Sequence, residues 1–158
     1  MSRKEINMGS LSYPLDVISS QIGMINCFIE MVACGVKPLA ISPPVAPSDL
    51  PVIEEASRLI SEGFKTKYHV VDKLIVTDIQ SEDFVKGKRS ILYYAEDAVL
   101  EAYFALQKQI EALEAGNAYT GAIRREISIK FGELLGYPEH IILKKVDSTK
   151  RIDPFVLE

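Results

Sequence analysis

The chain predicts an α/β domain: a small, at least partly parallel sheet with a βαβ unit, flanked by helices, and a helix-rich C-terminal half. Three observations predict it. Apolar residues recur at steps of 3 and 4 over several long stretches, the period of a helix with one buried face. Short runs rich in β-branched or aromatic residues fall between those stretches. From residue 36 to residue 77 the order is strand, helix, strand, which favours a parallel pair joined by a right-handed crossover.

The elements follow in chain order. Residues 1–12 read as a flexible tail. Pro14 sits where a first helical turn tolerates proline. Leu15, Ile18, Ile22, Ile25, Ile29 and Val32 then form a stripe, and Val17, Met24, Phe28 and Met31 widen it. Such a helix is either wrapped by the fold or meets another subunit. Gly35 ends it. Residues 36–42 read as a strand that runs into Pro43 and Pro44. Ser48 suits an N-cap, with Asp49 in the first turn of a helix carrying Val52, Ile53, Ala56, Leu59 and Ile60. Gly63 is its stop signal. Residues 68–71 and 74–77 read as two strands.

Ser81 caps a short turn of helix, Lys86 to Arg89 is a turn, and residues 90–95 read as another strand. A long helix covers 96–115, closed by Gly116 and Asn117. In it Val99, Tyr103, Leu106, Ile110 and Leu113 form a seam that serves either a coiled coil or a core. Thr120 caps the next helix, where Ile123, Ile127, Phe131 and Leu134 share a face. Gly136 stops it, and Pro138 opens a last short helix to about Val146. The single α/β domain is thus residues 13–147, with a C-terminal tail at 148–158. At 158 residues one core is feasible.

Composition excludes several classes. Hydrophobic residues make up 47% and charged residues 25%, which argues against disorder. The net charge of -4 gives no basic stripe for a polyanion, so no nucleic-acid partner is expected. Met31 to Cys34 resembles a lipoprotein cleavage box, but Asp16, Gln21, Asn26 and Glu30 interrupt the apolar run that a leader needs. The same residues argue against a membrane span, so no membrane partner is expected. Cys27 and Cys34 lie seven apart in one helix, too far along its axis to pair, and a cytoplasmic location is the default.

Few residues recommend themselves for chemistry. There is no G-x-S-x-G, Walker A, G-x-G-x-x-G or H-E-x-x-H sequence. Two histidines and two cysteines at unrelated spacings make no zinc signature, so neither metal nor cofactor is expected. His69 and His140 have no partner that the sequence assigns. Ligands of open parallel sheets bind beyond the carboxyl ends of the strands. That edge would bring together Ser42, Asp49, Thr77 and Asp78, with Tyr94 facing a pocket or interface. Hydroxyls, carboxylates and helix N-terminal amides there suit a small polar or anionic ligand. The alternative is that Ser48 and Ser81 only cap helices and Asp78 begins a turn. Lys86, Lys88 and Arg89 either bind a phosphate or form a solvated turn.

The segment Gly132-Glu133-Leu134-Leu135-Gly136-Tyr137-Pro138 resembles one found in an uncharacterised family of prokaryotic proteins, in which cysteines typically follow it. Here Glu139, His140 and Ile141 follow, and the resemblance implies no activity. Three readings of function remain. The leading one is a non-enzymatic binding or interaction module that self-associates through helix 14–34 or 96–115. The second is a small-molecule binder or enzyme using the loops at the strand ends. The third is a subunit of a larger complex.

Overall fold

A computed structural model describes residues 13–149; the expected tails at 1–12 and from residue 150 on lie outside them. The elements are α1 (Val17–Ala33), β1 (Leu39–Ile41), α2 (Leu50–Phe64), β2 (Lys67–Val71), α3 (Glu82–Val85), β3 (Ser90–Tyr94), α4 (Asp97–Ala115), α5 (Gly121–Leu134) and α6 (Glu139–Val146). Asp16, two residues beyond Pro14, starts α1: its carboxylate accepts from the N–H groups of Ile18 at 2.9 Å and Ser19 at 3.3 Å. No described helix is long and apolar enough to cross a membrane.

The sheet corrects the predicted topology. Its order is β1-β3-β2, and both pairings are antiparallel. β1 and β2 point the same way, as a βαβ reading requires, but β3 lies between them. There is therefore no parallel pair and no α/β fold of the predicted kind. The burial of β3 explains its place. All five of its residues are buried, as a central strand covered on both faces should be, whereas β2 alternates between exposed and half-buried positions.

A second correction concerns residues 74–77, which form no strand. Leu74, Ile75 and Thr77 are buried, so the apolar run reports burial alone. Side chains take the place of a strand partner. The Tyr103 hydroxyl accepts from Ile75 N–H at 3.2 Å, and the Tyr119 hydroxyl donates to the Val76 carbonyl at 2.6 Å. Ser128 Oγ accepts from Asp78 N–H at 2.9 Å, and Thr77 Oγ1 accepts from Ile79 N–H at 3.2 Å. Backbone polar groups in a buried loop need such partners. Burial pushes the Tyr103 and Tyr119 hydroxyls up to about 12, so both stay neutral near neutral pH.

The pleat divides the core in two. On one face Leu39, Leu92, Tyr94 and Val71 pack with Tyr103, Leu106 and Ile110 of α4, Ile127 and Phe131 of α5, and Ile142 of α6. On the other, Ala40, Ile91 and Tyr93 pack with Ile25, Ile29 and Val32 of α1 and Ile53 of α2. The result is three layers, with the sheet in the middle. The α4 seam is a core face of the chain itself. The predicted α5 face begins at Ile127, because Ile123 in the first turn is exposed. On α2, Val52 and Leu59 are exposed, and Ser57 faces inward. Ser57 Oγ donates to the Ile53 carbonyl and accepts from the Tyr93 hydroxyl, each at 2.7 Å. Burial holds that phenol well above its usual range.

Candidate functional site

β1 is an edge strand, and what covers its open side decides the site. Ser42 N–H donates to the Ile91 carbonyl at 2.9 Å. The alternation of an antiparallel pair then turns the backbone groups of Leu39 and Ile41 away from β3, towards the edge. Two irregular segments lie along that edge. One is the pinned loop 72–81. The other is the α5–α6 connection, Leu135 to Pro138.

That connection owes its path to Gly136. Gly136 N–H donates to the Glu133 carbonyl at 2.9 Å, and Tyr137 N–H to the Gly132 carbonyl at 3.1 Å, the paired bonds of a Schellman motif. Its φ of +77 is easy for glycine. A Cβ there would lie 3.2 Å from Lys37 Cα and 3.3 Å from Pro38 Cδ, so only glycine lets the connection lie against residues 36–38. Tyr137 is thereby placed beneath Lys37, whose Nζ lies 4.9 Å from the ring centroid. Lys145 approaches the same ring at 5.5 Å.

Between these segments lies a cavity of about 260 Å³. Its walls are mainly apolar: Phe28, Ala40, Ile41, Pro44, Leu74, Ile79, Phe84, Val85 and Leu135. Its polar groups are Lys37, Ser42, Gln80, Ser90 and Tyr137. Ser42 Oγ already accepts from Ile91 N–H at 3.0 Å. Gln80 is only 6% exposed, and its Nε2 is enclosed with no hydrogen-bond partner among the described residues. Lys37 is the single charged residue of the lining. Burial lowers its pKa, and no acidic neighbour opposes that shift. Burial likewise raises the Tyr137 phenol.

The sequence-predicted residues fare unequally. Ser42 lines the cavity. Asp49 precedes α2, with Ser48 Oγ donating to its carboxylate at 3.5 Å, and it does not line the cavity. Thr77 holds its own loop through Ile79 N–H. Asp78 pairs with Arg124 Nε at 2.8 Å. Tyr94 is packed in the core between its strand partners Leu39 and Lys67, and burial raises its pKa. The parallel-sheet edge that would have gathered these residues is absent among the described residues; of the five, Ser42 lines the cavity, and Thr77, Asp78 and Tyr94 make contacts within the fold. Sequence reasoning missed Lys37 and Gln80. Tyr137 stood in the L-G-Y-P segment, which was the available signal.

Other groups lie elsewhere. His69 is exposed and meets the Phe104 ring edge-on at 5.4 Å. His140 is exposed, as are both cysteines. The Lys86–Arg89 turn borders a larger hollow of about 350 Å³ that shares Leu74 and Val85 with the first. Its lining is mostly charged and exposed, and Arg89 is ion-paired with Asp72. The smaller cavity is the better candidate because it combines mainly apolar walls with a few polar groups. Comparison of the chain with family models, with curated proteins and with solved structures finds no match.

Proposed function

We propose that this chain is a small-molecule-binding protein whose ligand occupies the cavity at the β1 edge. One observation carries the reading: a largely apolar cavity of about 260 Å³ lies at the β1 edge, with Lys37, Ser42, Gln80, Ser90 and Tyr137 as its polar residues. Mainly apolar walls with a few polar groups are the usual make-up of a small-molecule pocket. Among the described residues the lining supplies donors and apolar walls but no carboxylate, imidazole or thiol, which supports binding over catalysis.

Native mass spectrometry of freshly purified protein tests this. A mass excess is expected that organic solvent releases. Ile41→Trp should abolish it without loss of fold by circular dichroism, because Ile41 is half-buried and its larger ring would fill the cavity. A retained ligand unaffected by Ile41→Trp would move the site elsewhere. No bound mass, together with no thermal shift from any small-molecule extract, would overturn the reading.

Self-association, or docking on another subunit, is a second reading. Met31 and Val36 favour it: they are 39% and 65% exposed at the C-terminal end of α1. The same spectrum reports the multiple of the chain mass.

A further inference from the structure

We infer that the ligand is an amphipathic monoanion, with a carboxylate head held by the Lys37 ammonium and an apolar body against Ile41, Leu74, Ile79 and Leu135. The inference rests on the binding reading above and specifies its chemistry. Lys37, from the α1–β1 connection, is the one charged residue among the described residues that line the cavity, and it is half-buried with its Nζ 4.9 Å from the Tyr137 ring centroid. No acidic side chain lines the cavity among the described residues, so an incoming carboxylate would supply a counter-charge to a partly desolvated ammonium.

The donor count agrees. An ammonium offers three N–H groups, and an ionised carboxylate accepts at about four sites. One lining cation matches one negative charge, so a monoanion fits better than a phosphate dianion. The apolar walls select against a small, fully hydrated anion. The volume of about 260 Å³ is that of roughly nine waters at about 30 Å³ each. A medium-chain acid is of that order. A like charge would be rejected: an amine of the same shape would meet Lys37 head-on.

Isothermal titration calorimetry with three matched probes tests the head group: octanoate, octanol and octylamine. Octanoate should bind roughly tenfold or more tighter than octanol, in line with charged hydrogen bonds, and octylamine should not bind. Lys37→Met should bring octanoate down to the octanol level while leaving octanol unchanged. Lys37→Arg, which keeps the charge, should retain the preference for octanoate and guards against a variant that fails to fold.

Equal binding of octanoate and octanol to the unaltered protein would overturn the head-group assignment and leave the binding reading standing. So would a preference for octanoate that survives Lys37→Met. If none of the three probes binds, this inference falls, while the binding reading is decided separately by the mass excess and the thermal shifts.

Discussion

Replacing Gly136 by alanine adds a methyl group where two constraints meet, and Gly35 provides the matched control. Both glycines follow the C-cap of a helix and make the same paired bonds. At Gly35 these run from its N–H to the Val32 carbonyl at 3.1 Å and from Val36 N–H to the Met31 carbonyl at 2.9 Å. Their φ values are +74 and +77. Alanine in that region costs about 1–2 kcal/mol at either site. The gain from a stiffer unfolded chain, about 0.4–1 kcal/mol, is common to both and cancels. The neighbours differ. Around Gly35 nothing lies within 4 Å of the added Cβ, whereas at Gly136 it would meet Lys37 Cα at 3.2 Å, Pro38 Cδ at 3.3 Å and the Val36 carbonyl oxygen at 3.4 Å. Those are backbone and ring atoms, which yield only by moving the strand entry. Overpacking of that kind costs roughly 1–3 kcal/mol more. Urea unfolding should therefore place Gly136→Ala below Gly35→Ala by that amount. Thermal midpoints should differ by about 2–4 °C for each kcal/mol. Octanoate affinity should also fall in Gly136→Ala, because the shift displaces Tyr137 and Lys37. Two variants of equal stability would refute the argument from close approach. Two variants as stable as the unaltered chain would refute the conformational argument as well.

Two further outcomes follow from local geometry. Lys65 is non-glycine at φ 57, with the same paired bonds to the Glu62 and Ser61 carbonyls. Lys65→Gly should raise stability by about 0.5–1 kcal/mol in urea, the strain relieved less the entropy added to the unfolded chain; a loss would refute it. Arg125 holds Asp147 by two bonds of 2.8 and 2.9 Å, and that side-chain contact keeps the carboxyl below its usual range. A depressed carboxylate contributes stability that is present above its unfolded pKa and lost as pH falls through its folded pKa. Asp147→Asn should therefore lose less stability than the unaltered chain on acidification from neutral pH through the carboxylate range, as read by urea midpoints. Parallel acid curves would show that the exposed pair contributes nothing.

Periodicity made the helices legible. The C-terminal half of the α1 stripe and the middle of the α4 stripe are buried as their spacing predicts, while Leu15, Ile18, Ile22, Val99 and Leu113 are half-buried, and Gly35, Asn117 and Gly136 stand at the helix ends. Strand order was not legible, because sequential strands were assumed to pair. Nothing local says that Ser90–Tyr94 inserts between β1 and β2; only its complete burial does. The run 74–77 misled for a related reason: β-branched residues mark burial, and here hydroxyls of Tyr103 and Tyr119 supply what a ladder would. On α2 a serine faces the sheet, since Ser57 carries a hydrogen bond that hydropathy cannot show. Of the cavity, Ser42 was legible from its place after a strand. Lys37 and Gln80 were not, because a lone lysine or glutamine has no spacing signature. Its meaning comes from enclosure by segments distant in sequence.

The arrangement of loop 72–81 bears on whether the cavity is a site or a packing gap. Ile75, Val76 and Asp78 are tied outward, to Tyr103, Tyr119, Ser128 and Arg124. Leu74 before them and Ile79 and Gln80 after them line the cavity. The loop therefore acts as a plate fixed from behind, holding three side chains against the β1 edge. Covering an open edge is reason enough for such a plate. It does not account for Lys37, the one charged residue among the described residues that line the cavity, half-buried with its Nζ over the Tyr137 ring. The rest of the lining is mainly apolar, and an apolar side chain at position 37 would pack there at less cost than a partly desolvated ammonium. A cation kept against apolar walls is a departure from local packing rules that a ligand's negative charge would answer.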